Sequence, residues 1–507
     1  MHMTENMRGA RQGAKAFLTG TVIAVLMAAT AFAATTPPIR SGEYKAPTRA
    51  GYEFQGWYLN PEGTGDMVID KDGNWLVDIP EDAEVFAKWQ QPPTTLIAGK
   101  DFSKKLKALS GQSDAAHDRD NSTITSFQKA NSIPNGMTMN NTNLISTSDS
   151  AFPVYAWFDN GTIYWYSDAE NINMNADSQN MFSRFRRITS IDISEFKTSK
   201  VTTMKGMFSV CDSLVNLDVS GFDTSNVTNM QQMFYGCYNL TNLDVSEFDT
   251  SKVTDMYGMF SSCKKLSGLD VSGFDTSKVT DMRQMFFNCK EISNLDVSRF
   301  DTSKITDMER LFSGCSSLTG LDISGFDTSN VTNMFSMFCN CSGLINLDVS
   351  GIDTSSVTNM ALLFSGCENL TSIDVRGFDT SNVQYMNDMF KNCRNLTSLD
   401  VSAFDTSKVT NMSSMFEGCR GITSLDLSGF NTSKVTNMAG MFKTCLNVTV
   451  IYVSELWSTS AITGVGSRDM FAGCAGLPNY RYSEVDRSKA HYGEGGYLTY
   501  KAAPTNP

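Results

Sequence analysis

The chain has 507 residues, 41% hydrophobic and 19% charged, with a formal net charge of −13. That apolar content is enough for a large core and excludes global disorder. The acidic balance disfavours nucleic acid and anionic lipid as partners, and three histidines leave little for general-base or metal chemistry.

The N-terminus opens with Arg8, Arg11 and Lys15, followed by the apolar run AFLTGTVIAVLMAATAFA. Small residues before Thr35 read as a signal-peptidase site, so residues 1–33 are expected to be a cleaved export signal and the mature chain not to insert in a membrane. The first cysteine is Cys211, which leaves no lipid-modified cysteine after the signal. YLTYKAAPTNP at the other end carries neither an apolar tail nor a sorting motif, so no covalent attachment is expected and the mode of anchoring is open.

Residues 34–90 contain APTRAGYEFQGWYLNPEGTG and AEVFAKWQ. Through Gly51, Tyr52, Phe54, Gly56, Trp57, Tyr58, Ala87, Lys88 and Trp89 this segment resembles the Listeria–Bacteroides repeat, the small β-grasp-like module of internalin-type proteins. The front of that module is short here, so it is either truncated or borrows a strand. QQPPTT, which begins at Gln90 and runs into residues 91–98, reads as a linker. Residues 99–190 are expected to form the N-terminal cap of a solenoid. They include PVYAWFDNGTIYWYSDAE, two aromatic strand-like runs about a hairpin turn at DNGT.

From 191 to 450 the chain repeats every 26 residues. Cysteines fall at 211, 237, 263 and onward to 445 without an insertion or deletion, and Met204 and Phe208 begin parallel ladders. The consensus is LDVSGFDTSKVTNMxxMFxGCxxLxx. A strict period in this range implies a solenoid. LDVS alternates apolar and polar and reads as a short strand with Leu243 and Val245 inward; FDTS reads as a turn. The segment from Met256 to Cys263 has apolar residues at helical spacing and is helical or extended. The expected fold is a capped right-handed coil with one short parallel strand per turn. One coil has too little core to fold alone, so the array is the folding unit. Residues 451–507 form the second cap and tail, where Cys474 breaks the period.

The core ladder, Met230, Phe234, Cys237, Met256, Phe260, Cys263, Met282, Phe286 and Cys289, offers thioethers and thiols that suit a soft metal. Recurrence in every coil points instead to core packing, with reduced thiols, each Phe, Met and Cys meeting its counterpart 26 residues away. Cys339, outside the ladder, is the candidate for exposure. Two aspartate ladders remain. The LDVS series Asp218, Asp244, Asp270, Asp296, Asp322, Asp348, Asp374 and Asp400 is placed on an exposed sheet face and is the candidate binding face. The DTS series from Asp223 to Asp405 is assigned to turns, with calcium as the alternative. After export His117 and His491 stand isolated, and no catalytic or phosphate-cradling motif is present. No catalysis and no cofactor are expected.

LDVSGFDTSNVTNMQQMFYGCYNLTNLDVS, its relatives, the segment FPVYAWFDNGTIYWYSDAE and the tail AHYGEGGYLTYK resemble the BspA-like and Mycoplasma-lipoprotein group of 26-residue, leucine-rich-repeat-like surface proteins. The resemblance implies adhesion: binding of host matrix proteins such as fibronectin or fibrinogen, or of other cells. A structural envelope scaffold and a glycan-binding module are the alternatives.

Overall fold

The computed structural model describes residues 34–35, 45–80, 83–111 and 123–504. The export segment 1–33 and His117 lie outside the described residues. The chain divides into two compact units, Met1–Pro93 with Ser150–Phe152, and Thr94–Asp149 with Pro153–Pro507.

In the first unit, β1 (Ala34–Thr35), β2 (Glu53–Tyr58), β3 (Met67–Asp70) and β4 (Val85–Gln90) form one sheet in the order β1-β4-β2-β3. Trp57, Val68, Ile69, Val85 and Ala87 are its small core. The short front of the module is completed by β1, which pairs antiparallel with β4. That strand begins at the residue after the expected cleavage site.

The second unit opens with β5 (Thr94–Thr95) and the helix α1 (Gly99–Leu109). Asp101 in its first turn and Lys107 in its last complement the helix dipole, and Phe102 and Leu106 are buried. Next in the chain come β6 (Ser126–Lys129), β7 (Tyr155–Asp159), β8 (Thr162–Tyr166), β9 (Ile172–Asn173), β10 (Ser190–Ile191) and β11 (Phe196–Lys197). β7 and β8 make the expected hairpin. Asn160 and Gly161 at its tip both have positive φ, 43° and 88°, as a type I′ turn requires.

Beyond β11 the coils stack, and their hydrogen bonding is not the expected one. Among the described residues no strand of two or more residues forms between β11 and β12 (Ser424–Asp426), so the LDVS strand is absent from nearly every coil. LDVS needs only two inward side chains, and its aspartate is satisfied within its own turn by the serine two residues on. Instead the MxxMFxxC segment holds the coils together. N–H groups of Met230, Gln232, Phe234 and Gly236 donate to carbonyls of Asp255, Tyr257, Met259 and Ser261 in the next coil at 2.8–2.9 Å. Within the coil, Met233 N–H returns to Met230 O and Cys237 N–H to Phe234 O. Gln232 and Gly236, third in these turns, have φ of 54° and 72°. The segment is therefore a run of type II-like turns, neither helix nor strand. Its alternating donors all point to the following coil.

A second column runs the opposite way. Thr254 N–H donates to Thr228 O and Thr280 N–H to Thr254 O, each at 2.9 Å. This ladder is broken once. Thr306 N–H does not reach Thr280 O, Met282 N–H does not reach Asp307 O, and no bridge joins Asp281 to Asp307, although bridges lie on either side.

The Phe ladder is longer than its repeats. Rings stack 5.4–6.0 Å apart from Phe182 through Phe208, Phe234, Phe260 and Phe286 to Phe442 and Phe471. Edge-on aromatics close both ends: Phe102 and Phe127 on Phe182, Tyr497 on Phe471. At the C-terminal end β12, β13 (Val450–Val453) and β14 (Thr499–Tyr500) form a parallel sheet. The three residues that lengthen the last coil fall after β13. Thr432 Oγ1 donates to Ser458 O, 26 residues on instead of the usual 25, and Met438 N–H to Gly466 O, 28 on instead of 25.

Candidate functional site

The eight LDVS aspartates named above are exposed, in register, one per coil. They sit on turns and not on a sheet. In Asp218, Asp244, Asp270, Asp296, Asp322 and Asp400, Oδ1 accepts from both the N–H and the Oγ–H of the serine two residues on. Asp348 accepts from Ser350 N–H. These serine bonds hold the carboxyls of Asp218, Asp244, Asp270, Asp296 and Asp322 below the usual range. Asp374 differs: Arg376 takes both its oxygens, at 2.9 and 2.7 Å, and draws it down to about 2. In the other seven, which are exposed, no ion pair to the carboxylate occurs among the described residues. The row ends at Asp426, paired with Lys501. Between Asp296 and Asp322 a shallow depression lies along the row, lined also by Asn294, Thr319 and Gly320.

The DTS aspartates cap turns as expected. Oδ1 of Asp223 accepts from Ser225 N–H and Oγ–H at 3.1 and 2.6 Å, and Asp301 does the same with Ser303. What the sequence reading missed is the threonine between them. Thr250 and Thr276 are buried, and each hydroxyl donates to the Asp carbonyl of the next coil at 3.0 Å. The column repeats from Thr198 to Thr432 and ties coil to coil from inside. No group of three or more His, Cys, Asp or Glu able to hold a metal ion occurs among the described residues.

The Met, Phe and Cys ladder residues named above are all fully buried. Each ladder thiol donates to a phenylalanine carbonyl 29 residues back, Cys237 to Phe208 O at 3.2 Å and Cys263 to Phe234 O at 3.1 Å. Burial pushes the thiols up, Cys237 and Cys289 to about 12, so they stay protonated and are poor metal ligands. All twelve cysteines are free. Cys339 is the most exposed, at 6%. His491 is exposed, with Nδ1 at 3.2 Å from Tyr492 O.

A third polar column escaped the sequence reading. The residue before each first Met is Asn229, Asp255, Asp281, Asp307, Asn333 or Asn359 along the central coils. Burial raises the Asp255 carboxyl, and Asn229 and Tyr257 N–H hydrogen-bond to it. Arg283 forks onto Asp281 at 3.0 and 2.6 Å and lies 5.4 Å from the Tyr257 ring. Arg310 lies 5.1 Å from the Phe335 ring. The signal was present: aligned copies are nearly constant at LDVS and DTS but change at almost every coil in the two positions after the first Met.

Family comparison places residues 122–215, 176–294, 266–373 and 358–484 on the model described as "Mycoplasma protein of unknown function, DUF285". No curated protein matches the chain. Among solved structures, one described as "Functional domain of InlJ from Listeria monocytogenes includes a cysteine ladder" is similar at 18% identity, with a TM-score of 0.14. The match covers 54% of this chain and 64% of that one, so this chain spans less than two thirds of it.

Proposed function

The chain belongs to the family described as Mycoplasma protein of unknown function, DUF285, and from that premise we propose that it is an exported bacterial surface protein of the BspA-like, leucine-rich-repeat kind, an adhesin or protein-interaction scaffold without catalysis. The observation that carries the reading is the aspartate row: exposed carboxylates in register on successive coils, seven of the eight with Oδ1 tied to its own turn and no ion pair to a cation of the chain among the described residues. A rigid stack spaces these charges evenly, which favours an extended protein partner over a small molecule. Export rests on residues 1–33, and no helix among the described residues is long and apolar enough to cross a membrane.

The test is direct. Purified chain is passed over immobilised fibronectin, fibrinogen and a glycan panel, and the native protein is located by fractionation. Saturable binding to a matrix protein, weakened severalfold by Asp270→Asn with Asp296→Asn and Asp322→Asn, is expected. Glycan binding alone would replace the reading with a lectin. No saturable binding to any of them leaves only the structural scaffold.

A further inference from the structure

Resting on that interaction role, we infer that the turn face of the stack is a second docking surface, separate from the aspartate row, and that it takes a basic, apolar-bearing segment of a partner protein. The first ground is where the repeat varies. LDVS and DTS positions are held nearly constant by Asp–Ser turns and the buried Thr bonds. The position after the first Met instead reads Lys205, Gln231, Tyr257, Arg283, Glu309 and Phe335 in six successive coils. Structural demand on that position is slight, because Ala361, Ser413 and Ala439 fill it elsewhere.

The second ground is composition. Tyr257, Phe287 and Phe335 stand half-buried on this face with Arg283 and Arg310. Aromatic and arginine side chains are the residues that anchor protein interfaces. Each arginine lies over a ring of a neighbouring coil, Arg283 over Tyr257 and Arg310 over Phe335, so the side chains are set in place before a partner arrives. The third ground is charge. Both arginines are already paired, with Asp281 and Glu309. Asp255 and Asp307 in the adjoining column have no cation within ion-pair distance among the described residues, only Asn and backbone donors. The rings therefore stand in the same turn face as carboxylates that no cation of the chain bridges directly, which a partner's Arg or Lys next to an apolar side chain would complement.

The probe is a fluorescent nine-residue peptide alternating Arg and Trp, titrated against the full chain by anisotropy, with Glu–Trp and Arg–Gly alternations as controls. Saturable binding of the first, at least tenfold tighter than either control, is expected. Tyr257→Ser with Phe335→Ala should weaken it at least tenfold, and Asp255→Asn with Asp307→Asn should weaken it and flatten its salt dependence. These replacements are residues the same columns already hold in other coils, so the fold is kept; unchanged thermal unfolding verifies it. Asp270→Asn with Asp296→Asn should leave the affinity unchanged. Equal binding of the Glu–Trp peptide, indifference to the turn-face changes, or loss on changing the aspartate row each overturns this surface. The immobilised matrix proteins decide the interaction role separately, since a chain that binds them solely through the aspartate row keeps the role and loses the turn face.

Discussion

Val210 sits at φ 63° in a column where other coils place Gly236, Gly314, Gly366 and Gly418, also at positive φ. A β-branched residue in the left-handed region costs about 1–2 kcal/mol. Glycine gives back about 0.5–1 kcal/mol through the entropy of the unfolded chain. Val210→Gly should therefore stabilise by about 0.5–1 kcal/mol, read as a higher urea midpoint at unchanged m. Where the column alternates Asn with Gly the reason is contact: a Cβ on Gly314 would lie 2.6 Å from Asn288 Oδ1. The thiols make a separate prediction. The ladder cysteines are sealed at 0% exposure and their protonated form is favoured, so a thiol reagent near pH 8 should modify the native chain only at Cys339, and slowly. Mass spectrometry after labelling checks this, and rapid labelling of Cys263 before unfolding would contradict the buried ladder.

Between elements, the unmade bonds around Asp281 and Asp307 mark the weakest junction of the stack. The N–H groups of Met282 and Thr306 should exchange with deuterium faster than Met256, Met308, Thr280 and Thr332, which keep their inter-coil partners. Equal protection at all six would show the ladder to be continuous. Acid should act on the stack as a whole. Asp218 and Asp244 on the LDVS turns, and Asp223 and Asp249 on the DTS turns, are held below the usual carboxylate range by serine. Their stabilisation is thus full above the unfolded value and is lost as pH falls through the lower folded ones. Asp255, raised by burial, works in the opposite sense and is relieved on protonation. Because the lowered groups far outnumber it, the urea midpoint should fall between about pH 5 and about pH 2, and a midpoint that rises would reverse the assignment. The turn chemistry was only partly legible in sequence. Period, core ladder, hairpin and DTS turns could be read directly, because spacing and Asp–Ser pairs state them. LDVS misled because a two-residue alternation specifies which side chains point inward but not whether the backbone pairs. The Met-to-Cys segment resisted assignment because its apolar spacing suits a helix, while Gly236, Gly314, Gly366 and Asn288, Asn340, Asn392 in one column signal left-handed turns that no helix contains. The binding face was the least legible, since the constant aspartates drew attention away from the columns that change.

At the scale of the molecule, stability belongs to the stack. Each ring of the ladder is flanked by two others, each coil donates to the next, and aromatic edges close the ends. A nearest-neighbour array of this kind should tolerate loss of a whole unit and not of a fraction. Removing Met334–Asn359 joins Asn333 to Met360, restores the consensus Asn–Met junction, and places Phe364 over Phe312 where Phe338 stood. The shortened chain should fold with one ring fewer and a near-UV spectrum of the same form. Removing only Met334–Asn346 joins Asn333 to Leu347 instead. That cut deletes Met337, Phe338 and Cys341 while keeping the Val349 and Thr354 side of the coil, so across the cut the Val and Thr columns step by 13 residues and the Phe column by 39, none by the 26 that the stack requires. The last coil shows where length is negotiable: its three added residues lie after β13, beyond the paired segment and short of the turn column that resumes at Gly466. Inside the turn column no such slack exists, because every second N–H apart from that of Met282 has a carbonyl partner in the following coil. The half-coil deletion should therefore aggregate or unfold broadly. If both deletions fold equally well by thermal unfolding and near-UV dichroism, the coils are held by general apolar burial and not by the register of their turns.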